Sequence, residues 1–126
     1  MEQQLLGDMT KTGSIHKVTG AKANIPSMQE PGVEAFIGDA LMNPAGARMC
    51  SGFFELKAGE PLEYEYTYDE MKYVVKGQFK LTDLKTGEQV VANEGEILFF
   101  PKGTPVLFET DDYALGFFTG DRDFAA

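Results

Sequence analysis

The sequence predicts an all-β domain of the sandwich or barrel type, on three observations. Glycines and prolines cut most of the chain into pieces of about five to nine residues, short for helices and right for strands. One piece alternates strictly between apolar and polar side chains. Turn-forming residues stand between the pieces, and many short strands joined in this way close into a sandwich or barrel.

The segments with strand character are 34–41, 49–57, 62–68, 71–76, 78–84, 88–92, 97–100, 105–109 and 113–118. Asn43-Pro44-Ala45-Gly46 turns the chain between the first two, and Lys57-Ala58-Gly59-Glu60-Pro61 leads into the third. Lys85-Thr86-Gly87, Asn93-Glu94-Gly95 and Asp111-Asp112 separate later ones. Within 62–68, Leu62, Tyr64, Tyr66 and Tyr68 alternate with Glu63, Glu65 and Thr67. Past Asp69 the apolar residues fall at Met71, Tyr73 and Val75, one position out of phase. A regular strand cannot slip its phase without turning its apolar face to solvent, so a turn or bulge is expected at 68–70. Residues 1–31 are polar and weakly patterned, either a mobile arm or a strand added to a sheet edge. Residues 32–126 form the single domain, with no internal repeat and no dividing linker.

Composition bounds the partners. A chain of 126 residues with 43% hydrophobic content can bury a real core. Its 11 basic and 20 acidic residues leave a net charge of −9, which argues against nucleic acid or an anionic membrane and otherwise solvates the surface. No stretch approaches the ~20 apolar residues of a membrane span. The first residues lack the positive start and apolar run of a secretory signal, so a cytoplasmic protein is expected. The single cysteine, Cys50, suits a reducing compartment and reads as a small buried residue.

Two glycine–proline frameworks carry a family resemblance. Gly59-Glu60-Pro61 opens a stretch that runs through Tyr68-Asp69-Glu70 and Val74-Val75-Lys76 to Gly77; Gly95-Glu96-Ile97-Leu98-Phe99-Phe100-Pro101-Lys102-Gly103 follows. Together they resemble the two motifs of the cupin superfamily, and in detail the cupin domain of ethanolamine utilization protein Q. The resemblance implies a single-domain, conical jelly-roll barrel, a usually dimeric state and a small-molecule site inside the barrel mouth. It also implies a cytoplasmic role in the catabolism of small metabolites. Family members have been linked to bacterial microcompartments and to acetate kinase activity. This sequence shows no phosphate-cradling glycine loop, so the kinase activity is not carried over.

Metal-binding cupins place two histidines and a glutamate in the first motif and a third histidine in the second. Here Glu70 matches the glutamate and Val106 stands at the third histidine position, while His16, the one histidine, lies outside both motifs as a solvent-facing residue. The first two histidine positions fall on Glu63 and Glu65 or on Tyr64 and Tyr66, depending on the gap. The hydrophobic pattern turns the tyrosines inward. Three inward carboxylates would instead raise one another's pKa unless a hard cation joined them. If Glu70 faces the cavity on a regular strand, so do Lys72 and Val74, with Met71, Tyr73 and Val75 outside and in need of cover from a second subunit. The opposite assignment buries Met71, Tyr73 and Val75 as core and leaves Lys72 and Lys76 in solvent. The pairs Phe53-Phe54, Phe99-Phe100 and Phe117-Phe118 read as core and interface packing.

The expectation is a metal-independent protein, without a cofactor, that binds a small polar metabolite and acts on it by acid–base chemistry of isomerase, lyase or hydrolase type. Glu70, Tyr64, Tyr66 and Lys72 are the catalytic candidates, and Glu63, Glu65, Phe100 and Val106 the substrate-binding ones. A homodimer is the expected assembly. The alternatives are a non-catalytic binding or scaffold module, and a metalloenzyme ligated by carboxylates and tyrosines.

Overall fold

The computed structural model describes residues 5–43 and 48–122, and no helix occurs among them. The expected turn at 43–46 lies, beyond Asn43, outside the described residues. The strands are β1 (Asp8–Thr12), β2 (Ile15–Thr19), β3 (Ala35–Met42), β4 (Cys50–Lys57), β5 (Leu62–Glu65), β6 (Glu70–Asp83), β7 (Gln89–Asn93), β8 (Ile97–Phe100), β9 (Pro105–Glu109) and β10 (Tyr113–Gly120). All ladders are antiparallel. Strands β3 to β10 form one curled sheet in the order β3-β4-β10-β6-β9-β5, with β7 and β8 also paired to β6. This is the all-β cupin jelly roll.

The segments expected at 71–76 and 78–84 are one strand, β6, of 14 residues. Its first half pairs with β10 and β8, and its second half with β7 and β9, so β6 carries the chain from one wall of the barrel to the other. The passage is made at Gly77, whose φ of 78° lies in the left-handed region. A Cβ there would collide with the Tyr113 carbonyl oxygen. Beside it the β6–β10 register shifts between Leu115 and Gly116. Glu70, Lys72 and Val74 are buried before the bulge and Phe79 and Leu81 after it, so the phase of the strand changes here.

The core is aromatic. Phe54 stacks on Phe79 at 5.8 Å between ring centroids and meets the edge of Phe108 at 5.3 Å. Leu56, Val74, Phe79, Ala114 and Phe118 are almost fully enclosed around them. Strands β1 and β2 make a separate hairpin. It is fastened to the barrel where Leu6 and Ala21 pack against Ala40 and the Leu6 amide donates to the Asp39 carbonyl at 2.8 Å. Farther along, Ser27 bridges Phe36, and the Met28 amide donates to the Ala35 carbonyl at 2.9 Å, which lays 26–28 along the edge of β3.

Candidate functional site

The inner row of side chains begins on β5 and continues on β6. Leu62, Tyr66, Tyr68, Glu70, Lys72 and Val74 are buried and Tyr64 is partly so, while Glu63, Glu65, Thr67, Asp69, Met71 and Tyr73 are exposed. A break in regular structure does fall at 66–69, next to the expected place, but inside and outside do not exchange there. Backbone bonds hold the break in line: the Tyr66 amide donates to the Thr104 carbonyl at 3.0 Å, and the Tyr66 carbonyl accepts from the Gly103 amide at 2.7 Å. The apparent slip arises because the inner row changes chemistry, from tyrosines to Glu70 and Lys72. The assignment of Met71 and Tyr73 to the core is overturned, since they are 52% and 44% exposed.

Glu70 and Lys72 are 2% and 3% exposed, and Lys72 Nζ lies 3.2 Å from Glu70 Oε2. The Tyr66 hydroxyl donates to the same oxygen. Around the ammonium stand four aromatic faces, with Phe54 at 4.6 Å, Phe108 at 5.3 Å, Phe118 at 5.5 Å and Phe100 at 5.7 Å from ring centroid to Nζ. The lysine stem passes over Gly116, where a Cβ would press on its Cγ and Cδ at 2.8 Å. Removing two charges from water costs several kcal/mol each, and one contact with a carboxylate does not fully offset that. The ring faces contribute up to about 2 kcal/mol apiece to a desolvated cation. Burial pulls Lys72 below the ordinary lysine range, against the opposing attraction of Glu70. Burial, reinforced by Glu70, pushes the Tyr66 hydroxyl far above the usual tyrosine range.

These groups border a cavity of about 20 Å³, just above the ~10–15 Å³ that one water requires. Met28, Ile37, Phe54, Leu62 and Phe108 supply apolar wall, and Tyr64, Tyr66, Tyr68, Glu70 and Lys72 the polar part. Of the lining residues, Met28, Ile37 and Tyr64 keep partial exposure to solvent.

Of the sequence-predicted site residues, Tyr64, Tyr66, Glu70 and Lys72 come together at this cavity. Phe100 stacks on Tyr66 at 4.8 Å from behind, and Val106 pairs with Tyr64 across β5 and β9; neither lines the cavity. Glu63 and Glu65 point to the outer surface, because they occupy the odd positions of a strand whose even positions face the core. His16 is on the β1–β2 hairpin, away from the barrel interior.

A second buried network was not read from the sequence. Arg122, just past β10, donates from both terminal nitrogens to Asp39 of β3 at 2.8 and 2.9 Å. Its guanidinium lies 5.0 Å over the Tyr68 ring, and Tyr68 shares a 2.9 Å hydrogen bond with the Tyr64 hydroxyl. Burial and the bond to Tyr64 raise Tyr68 well above its usual range. Burial works against the Arg122 charge, but the bonds to Asp39 and Tyr68 outweigh it and hold the pKa up. One signal was available: Asp39 interrupts an otherwise apolar strand.

The donor set does not fit a metal ion. Glu70 Oε2 is already shared by the Lys72 amine and the Tyr66 hydroxyl, and a lysine beside the carboxylate competes with a cation for it. Among the described residues no cluster of three or more His, Cys, Asp and Glu side chains is placed to hold one.

A family model described as ethanolamine utilisation protein EutQ matches residues 8–119. The chain belongs to the EutQ family. It is 34% identical over 67 residues to an acetate kinase EutQ of Clostridioides difficile strain 630, a match that covers 53% of this chain and 41% of that protein, so it spans less than half of that relative's length. Among solved structures, a putative ethanolamine utilization protein Q of Salmonella typhimurium LT2 superposes with a TM-score of 0.80 at 20% identity, over 95% of this chain and 97% of that one. The Clostridium difficile EutQ protein superposes with a TM-score of 0.76 at 23% identity, over 97% and 92%. At these identities the superpositions establish the EutQ-like cupin fold.

Proposed function

We propose that this EutQ-family cupin is a cytoplasmic, metal-independent protein that binds a small polar metabolite in its barrel and transforms it by acid–base chemistry. The observation that carries the reading is the Tyr66–Glu70–Lys72 cluster on the wall of a small, largely apolar cavity. A carboxylate flanked by a phenol and an ammonium can accept a proton from substrate and return it elsewhere, while the ammonium steadies charge that develops on a substrate oxygen. Isomerisation, elimination and hydrolysis are all within reach of that set. The Clostridioides difficile relative is an acetate kinase, but the match spans less than half of it, so acetate is one probe to try and phosphoryl transfer is not assigned.

The test is thermal stabilisation by acetate, ethanolamine and a panel of short hydroxy and carbonyl metabolites, run on wild type and Glu70→Gln. Stabilisation by at least one compound, lost in Glu70→Gln, is expected. Stabilisation equal in both proteins removes Glu70 from the site.

The outer face supports a second reading, a binding or scaffold module. Met71, Tyr73, Ile97, Phe99 and Phe117 adjoin one another across β6, β8 and β10, and each is 38% exposed or more. A second copy of the chain is the proposed cover for this row, in a homodimer. No stabilisation across the panel, with self-association intact, favours this reading.

A further inference from the structure

Among the described residues, two buried ion pairs are built from different cations. Arg122 meets Asp39 through two matched hydrogen bonds, an arrangement that fixes charge and cannot release a proton. Lys72 meets Glu70 through a single contact of 3.2 Å, borders the cavity, and has a stem for which Gly116 makes room. An amine can be freed where a guanidinium cannot. A lysine desolvated among apolar groups is the usual setting of a nucleophilic amine.

We propose that Lys72 is a nucleophile that forms an imine with a short-chain aldehyde in the barrel cavity. This deepens the acid–base reading above and rests on it. Glu70 takes a proton from the Lys72 ammonium, and the freed lone pair attacks the aldehyde carbon. The C–N bond forms as the carbonyl π pair moves to oxygen. The Lys72 nitrogen passes a proton to that oxygen, which gives a neutral carbinolamine, and Tyr66 is placed to hydrogen-bond its hydroxyl. The protonated Glu70 then gives its proton to the hydroxyl, the C–O bond breaks and water leaves. The sum is ammonium plus aldehyde to iminium plus water, with no oxidant or reductant, and the iminium keeps its positive charge beside the Glu70 carboxylate.

The ligand class follows from the cavity. Its volume is about 20 Å³, so only a short molecule enters even when Met28 and Tyr64 give way. Apart from the tyrosine hydroxyls, Glu70 and Lys72, its walls are apolar, so an uncharged carbonyl compound enters at the lowest cost of desolvation. The lowered pKa of Lys72 agrees with this role, since more of the amine is free at neutral pH than for a lysine in water.

The experiment is reductive trapping on the folded protein. Wild type is exposed at neutral pH to acetaldehyde with sodium cyanoborohydride, and the ethylated lysines are located by peptide mass spectrometry. Lys72 is expected to label several-fold faster than the exposed lysines, because Glu70 is in contact to take its proton and the cavity holds the aldehyde against it. The preference should vanish in urea, and Glu70→Gln should slow labelling at Lys72 and at no other lysine. An unlabelled Lys72, or one labelled no faster than the surface, overturns the proposal. Combined with Glu70-dependent stabilisation by a metabolite, that result removes the imine and leaves the acid–base reading standing. Combined with no stabilisation by any compound, it removes both.

Discussion

Strand β6 is two strands in physical terms, divided at Gly77. Its near half, from Glu70 to Lys76, turns a carboxylate and an ammonium into the barrel; its far half, beyond the bulge, turns in Phe79 and Leu81. Both inner rows are equally dry. They differ in what dryness does: for the phenylalanine it is the source of stability, and for the ion pair it is a cost that matched partners must offset. Stability is thereby concentrated beyond the bulge, and groups able to do chemistry before it.

The largest effect is expected where the comparison is simplest. Phe79→Ala should cost about 4 kcal/mol, as large-to-small changes in closed aromatic cores do, because the ring is fully buried between Phe54 and Phe108. Urea unfolding measures it, and a loss under about 1 kcal/mol would show that the far half is not the stabilising one.

Lys72→Met should cost somewhat less, about 3 kcal/mol, because it strands Glu70 without its cation. The double variant Glu70→Gln with Lys72→Met should recover more than half of that loss. If the double variant instead loses the sum of the single changes, the pair is not coupled and the contrast between the two halves collapses.

Alkaline titration sharpens the same contrast by about 1.4 kcal/mol per pH unit for each group concerned. Burial raises Tyr66 and Tyr68 in the native state, so their stabilising contribution is complete below pH ~10, where an unfolded tyrosine ionises, and is lost as pH climbs beyond it. Lys72 runs the other way. Its native pKa is lowered, so the unfolded chain binds the extra proton, and stability climbs with pH from that lowered value to the ~10.4 of an unfolded lysine. Denaturant midpoints against pH should rise and then turn down near pH 10. Tyr66→Phe should remove one tyrosine's share of the falling limb, and Lys72→Met the rising one.

The cupin architecture was legible in the sequence because local signals agreed with it: period-two order along 62–68, turn residues at the joins, and glycines where only glycine fits. The inward tyrosines were legible for the same reason. The apolar pattern puts the phase change at 68–70 whereas it lies at Gly77, since such a pattern cannot distinguish a strand that turns over from one that changes what it buries. Lys72 stayed ambiguous on that account: a lysine reads as solvated until four ring faces from β4, β8, β9 and β10 surround it, and those contacts are non-local. Arg122 and Asp39 are 83 residues apart, and no local pattern joins them.

The outer face of the near half gives the smallest expected effect on the folded chain and the cleanest test of assembly. Tyr73 is 44% exposed, and its cross-strand neighbours Ile97 and Phe117 are 72% and 38% exposed. A charge at position 73 meets water in a monomer and an apolar partner in a dimer. Tyr73→Asp should therefore change monomer stability by under about 0.5 kcal/mol, as surface substitutions do, while sedimentation shows self-association weakened at least about tenfold. Val90→Asp, equally on an exposed strand but beyond the bulge, should leave association unchanged. If both variants weaken it alike, the partner covers the far half too. If neither does, the apolar row of β6, β8 and β10 is not the dimer face.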